Sequence, residues 1–208
     1  MKLYYFPGAC SLADHIVLEW IGEPYETVKM TPASVKSREY LALNPNGTVP
    51  LLVDGHFVLA QNVAILCYLA DRHPTSWLLG DGSVRSRAEV MQWLAFLNSD
   101  VHPAFKPIFA PKRFLTDPGL AGAIAETARG HVRTYLGRID KWLESREWLT
   151  DERSVADPYL FVLARWAVRV NVGLDGFANL SRFADRMYAD PAVRKVIQAE
   201  DSAVELAA

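Results

Sequence analysis

Strand-like and helix-like stretches alternate through residues 1–71, and beyond Ser83 the strand pattern stops altogether. A chain with that asymmetry folds as a small α/β layer followed by a helical half, because each pattern buries its apolar side in a different way. Residues 1–5 are an apolar run that breaks at Pro7-Gly8; residues 12–21 follow with near-helical spacing and stop at Gly22. Residues 25–30 read as a second strand, and a polar stretch over 31–39 leads to the turn Asn44-Pro45-Asn46-Gly47. Two short apolar runs, 49–53 and 56–59, flank Asp54-Gly55, a two-residue hairpin signal, and 61–71 reads as a helix. The order β-α-β, loop, β-β-α fits a compact layer better than a doubly wound sheet.

The breakers His73-Pro74-Thr75-Ser76 and Gly80-Asp81-Gly82-Ser83 mark the boundary. The expected division is an α/β domain over 1–77, a linker over 78–86 and an all-α domain over 87–208. Within the second half, amphipathic spacing predicts helices over about 84–109, 121–144, 155–172, 180–188 and 192–199. Ser154-Val155-Ala156-Asp157 is a capping box in its aspartate form, which assigns Asp157 to helix stability rather than to chemistry. A short Ala-rich tail is expected to fray.

Size and charge narrow the function. With 208 residues, half of them hydrophobic, the chain can bury a substantial core. Lysine plus arginine number 22 against 24 acidic residues, for a net charge of -2, so no basic face for nucleic acid is expected. The start of the chain lacks the pattern of a secretory signal, and no apolar run is long enough to span a bilayer, so the expectation is a soluble, cytoplasmic protein without membrane contact. The five histidines are scattered without ligand-like pairing to a cysteine, so no metal is expected.

Only two cysteines are present, too few for a disulfide framework. Cys67 lies in an apolar helical run and reads as a packing residue. Cys10 follows the Pro-Gly break at the start of a helix, where free N–H groups and the helix dipole favour a thiolate, so its pKa is expected below the usual value of about 8.5. Ser11 offers a hydroxyl at the same terminus, or simply caps it.

Four motifs occur in order along nearly the whole chain: the opening Met1-Lys2-Leu3-Tyr4-Tyr5 through Cys10-Ser11-Leu12; Asn44-Pro45-Asn46-Gly47-Thr48-Val49-Pro50; Gln61-Asn62-Val63-Ala64-Ile65 with Tyr68-Leu69; and Ser154 through Leu160. Together they resemble the beta class of bacterial glutathione S-transferases. The resemblance implies a thioredoxin-like N-terminal domain that holds glutathione as co-substrate, an all-helical C-terminal domain, an apolar electrophile as second substrate, and a homodimer serving detoxification. It implies catalytic roles for Cys10, Ser11 and His102. Glutathione would be bound by Tyr5, Lys36, Thr48, Val49, Pro50, Gln61 and Asn62. A cis Val49-Pro50 bond would let the Val49 backbone pair with the tripeptide. The residues Phe105, Phe109, Phe114, Trp166 and Arg169 would border the electrophile pocket.

The chain also departs from the class. Gln61-Asn62 stands where glutamate and a small residue are common, Ala95 where asparagine is common, and Pro103 where lysine follows the histidine. These departures keep open an alternative, a glutathione-binding or protein-interaction homologue without catalysis. Position 13 is alanine, so no Cys-x-x-Cys exists and any disulfide chemistry at Cys10 must be monothiol. Whether Cys10 attacks as a nucleophile or only donates a hydrogen bond is open at this stage.

Overall fold

The computed structural model describes residues 1–205, with side chains through Asp201; the Ala-rich tail lies outside that range. The first half builds β1 (Lys2–Tyr5), α1 (Ser11–Ile21), β2 (Glu26–Lys29), α2 (Arg38–Leu43), β3 (Leu51–Asp54), β4 (Phe57–Ala60) and α3 (Asn62–Arg72). Its sheet has the order β2-β1-β3-β4, with β1 and β2 parallel and the other pairs antiparallel. Strand alternation decides which side chain faces which layer. Leu3, Tyr5 and Leu52 join the main core with α1 and α3, whereas Tyr4 and Leu51 pack on the other face with Met30, Val35 and Tyr40.

Two local expectations shift. Asp54 stays in the ladder opposite Phe57, so the hairpin turn is Gly55-His56 rather than Asp54-Gly55. Gly55 takes φ +59 at the first turn position, where a side chain would be strained. The helix α2 falls where the residue pattern suggests only a polar stretch and a turn. Its signal is Ser37, whose hydroxyl accepts from the Tyr40 N–H at 3.2 Å as an N-cap.

The second half contains α4 (Val84–Phe96), α5 (His102–Ala104), α6 (Lys106–Phe109), α7 (Ala121–Trp142), α8 (Ala156–Arg169), α9 (Ala178–Ala189) and α10 (Pro191–Glu205). The single helix expected over 84–109 is broken. Pro103 and Pro107 have no N–H to continue a ladder, and the residues Leu97–Val101 form a π turn in which the His102 N–H reaches back to the Leu97 carbonyl. Helix α8 is the central post, buried over most of its length, and α1 packs against it, α3 and α10. Its start is held by Asp157, which accepts from the Ser154 N–H (2.7 Å) and the Leu149 N–H (3.0 Å). The capping box therefore also ties in the preceding loop, and burial pushes the Asp157 carboxyl up to about 6.

No described helix is long and apolar enough to cross a membrane.

Candidate functional site

A cleft of about 470 Å³ opens between the starts of α1 and α3 on one side and the broken helix around His102 on the other. Cys10, Thr48, Val49, Pro50, Gln61, Asn62 and His102, all singled out in the sequence, line it together. The Val49–Pro50 bond is cis. The loop before it is pinned because the Thr48 carbonyl accepts from the Tyr40 hydroxyl (2.7 Å) and from the Asn44 amide (2.8 Å). Turn residues chosen for their local chemistry thus also set where Val49 sits.

The start of α3 is a ready anion site, since its first N–H groups have no helical partner and the dipole favours negative charge. Gln61 flanks it with φ +79, an unusual backbone for a residue with a side chain, held by the surrounding fold at the cleft wall. Asn62 is almost fully buried, with its amide turned inward rather than toward the cleft. Two acceptors face that amide, so its nitrogen points to them and donates to the Cys10 carbonyl (3.1 Å) and to Asp14 Oδ2 (3.0 Å).

Cys10 occupies the N-cap of α1 and keeps part of its surface open to the cleft. Its thiol departs from expectation. Burial, and after it the neighbouring Asp14 carboxyl, pushes it up to about 12, outweighing the hydrogen bonds from the backbone at Cys10 and Ser11 that favour the thiolate. Cys10 is therefore a thiol at neutral pH, able to donate but weak as a nucleophile. Cys67 is half-buried rather than fully buried, packed on the core with its sulfur 3.6 Å from that of Met91.

The turn that delivers Cys10 is gripped from both sides. The Gly8 N–H donates to Glu200 Oε2 on α10 (2.8 Å), and the Gly8 carbonyl accepts from the Trp166 indole on α8 (2.8 Å). The other oxygen of Glu200 meets His15 Nδ1 at 3.0 Å, both side chains being buried. Gly8 itself has φ +69, which suits glycine.

Across the cleft, His102 Nδ1 lies 2.7 Å from the Tyr159 hydroxyl. That hydroxyl also lies 3.2 Å from Asn98 Oδ1, so imidazole, phenol and amide form one hydrogen-bonded chain along the cleft wall. Burial, followed by the charge of Lys106, lowers the His102 pKa to about 4. The imidazole is thus neutral and carries no charge toward the cleft. Its ring packs edge-on against Trp166 at 4.8 Å, and Trp166 meets Phe105 at 5.5 Å and Phe109 at 5.3 Å. Phe105 is buried, whereas Phe109 is nearly half exposed beside it and gives an apolar edge.

Several expected site residues lie elsewhere. Ser11 is fully buried, its hydroxyl bonded to the N–H and carbonyl of Phe6 at 3.3 Å each, which closes the turn and leaves it no path to a ligand. Tyr5 packs inward against His15, ring centroids 5.5 Å apart. Lys36 is exposed on a 3-10 turn and forms no part of the cleft wall. Four lining residues stand outside the expected set: Asn46, Asn98, Pro103 and Lys106. Asn98 is the most telling, because the class asparagine is absent at Ala95 yet an amide reaches the same cleft from the π turn. An asparagine one helical turn before His102 was the available signal.

Residues 1–71 match the family described as glutathione S-transferase, N-terminal domain, and residues 90–191 match its C-terminal domain. Glutathione S-transferase GST-4.5 of Xanthomonas campestris pv. campestris is 49% identical over 96% of this chain and 98% of its own length. Glutathione S-transferase GstA of Escherichia coli O157:H7 is 35% identical over 96% and 98% of the two chains. Among solved structures, a glutathione S-transferase from Xylella fastidiosa superposes with a TM-score of 0.92 at 46% identity, covering 96% of this chain and 98% of that one. A sphingomonad glutathione S-transferase complexed with glutathione superposes with a TM-score of 0.85 at 38% identity, covering 97% and 99%. With both halves matched in order and the alignments running almost end to end, the chain belongs to the glutathione S-transferase family.

Proposed function

We propose that the cleft binds glutathione with its γ-glutamyl carboxylate at the start of α3 and its cysteinyl backbone along Val49, and that His102 and Cys10 activate its sulfur. The observation that carries this reading is one cleft lined by Cys10, by Val49 ahead of its cis proline, by the start of α3 and by His102. Cys10 donates a hydrogen bond to the glutathione sulfur and favours its thiolate, and the neutral His102 imidazole relays the thiol proton to solvent rather than keeping it. The thiolate attacks an apolar electrophile lying along the Phe109 and Trp166 edge, its sulfur forming the new bond as the leaving group departs with its electron pair. Lys106 supplies a positive charge at the cleft mouth. The covalent route through Cys10 is disfavoured by the high pKa of its thiol. Such conjugation would serve detoxification in the cytoplasm.

Two measurements test this together. Alkylation of Cys10 at pH 7.4, followed by peptide mass, should run about a thousandfold slower than for an ordinary thiol, the ratio of thiolate fractions for a pKa of about 12 against 9.0. Incubation with glutathione disulfide should leave no glutathione-sized adduct on Cys10, while reduced glutathione with an aryl halide is turned over. A rapid adduct would restore the nucleophilic route; glutathione binding without turnover across several electrophiles would support a carrier.

A homodimer is proposed as well. Phe57 and Val58 on edge strand β4 are exposed, Phe57 rests on Tyr68 (5.1 Å), and neighbouring Cys67 touches the exposed Met91 of α4. Exposed apolar side chains thus occur on both halves of the chain, of the kind a second copy would cover. Sedimentation should give about twice the mass of 23.3 kDa; a single-chain mass at micromolar concentration would rule the dimer out.

A further inference from the structure

We infer that Asp14 is a positioning residue for glutathione, clamping the start of α3 to the start of α1 through the Asn62 side chain. The inference rests on the proposed glutathione site. Asp14 lies one turn into α1, completely buried, with Oδ2 accepting from the Asn62 amide that also donates to the Cys10 carbonyl. One amide thus joins two helix ends that both line the cleft, one presenting the Cys10 thiol and the other the free N–H groups that face the γ-glutamyl carboxylate.

Three further observations favour a site role over simple packing. Asp14 Oδ1 has no hydrogen-bond partner, and among the described residues only one other buried side-chain atom, His73 Nε2, shares that condition. An orphaned carboxyl oxygen inside a core is costly, and such groups concentrate where function requires them. The position of Asp14 also complements the departure from the class at Gln61-Asn62. Asn62 has a longer side chain than the small residue common there, and it is Asp14 that accepts from it. Finally, burial and the nearby Glu200 push the Asp14 carboxyl well above the usual range, and Asp14→Asn would keep an oxygen where Oδ2 accepts from the Asn62 amide. The clamp is therefore read through shape and hydrogen bonding.

The test is calorimetric titration of reduced glutathione into the wild type and four variants: Asp14→Ala, Asp14→Asn, Asn62→Ala and the Asp14→Ala/Asn62→Ala double. Thermal melts run alongside at equal protein concentration. Wild-type binding must be seen first, and its absence would overturn the glutathione site itself. Given that binding, Asp14→Ala and Asn62→Ala should each weaken it about tenfold, the double variant should also be about tenfold weaker rather than a hundredfold, and Asp14→Asn should stay within about threefold of the wild type. Should Asp14→Ala fail to fold, Asp14→Ser, too short to reach the Asn62 amide, replaces it in the cycle. Wild-type affinity in Asp14→Ala, effects that multiply in the double variant, or an Asp14→Asn as weak as Asp14→Ala would each overturn the inference. A residue that merely stabilised the core would move the melts without this pattern in affinity.

Discussion

Replacing Glu200 by alanine should lower the thermal midpoint by roughly 6–20 °C, corresponding to about 3–5 kcal/mol in a chain of this length. The side chain is almost fully buried, and both of its oxygens are engaged, one by the Gly8 N–H and the other by His15 Nδ1. Alanine leaves both groups without an acceptor inside the core, at about 1–3 kcal/mol each, and adds a cavity. The effect reaches the cleft as well. Gly8 would keep only its bond to Trp166, so the turn carrying Cys10 would loosen and turnover should fall along with stability. Because a dimer would make the midpoint depend on concentration, the two proteins are compared at equal concentration. A shift under about 2 °C would show that the contact between α10 and this turn is dispensable. Glu200→Gln, which keeps an acceptor and the volume, should fall between the two.

His102→Phe should reduce turnover about a hundredfold while leaving the affinity for reduced glutathione within about threefold. Phenylalanine preserves the edge-on packing against Trp166 and removes both ring nitrogens, so the loss isolates proton transfer. Tyr159→Phe should cost less, since it frees the imidazole tautomer without removing the base. Turnover within about threefold of the wild type in His102→Phe would place the base elsewhere. The same variant carries a pH signature. The folded-state pKa of His102 is lowered from 6.5 to about 4, so the unfolded chain binds the extra proton first as the solution is acidified. This group therefore contributes stability that is present above pH 6.5 and lost as the pH falls toward 4, at most about 3 kcal/mol. His102→Phe should lose less stability than the wild type across that window, measured by denaturant titration at several pH values.

The missed features share one cause. Ser11 is singled out by its position at a helix start and Lys36 by the resemblance, but a hydroxyl within reach of its own turn bonds there, and Lys36 sits on a short 3-10 turn outside the cleft wall. Asn98 enters the site only because the prolines after His102 force a π turn, which re-aims side chains that a regular helix would have set differently. Helix α2 was overlooked because a polar stretch and a serine cap look alike until the packing of Tyr40 into the second core beneath the sheet is known.

The cis Val49–Pro50 bond was legible only through the resemblance. What the sequence determined alone was an α/β half followed by a helical half, the Gly22 stop, the placing of Gln61-Asn62 at a helix start, and the family. These follow from local signals: periodicity, turn chemistry and caps act between residues a few positions apart. The tertiary structure alone decided the protonation of the site. Whether Cys10 is a thiolate and His102 a cation is decided first by burial between the packed elements, which outweighs the helix-end field on Cys10, and only then by charges one helical turn away, Asp14 for Cys10 and Lys106 for His102.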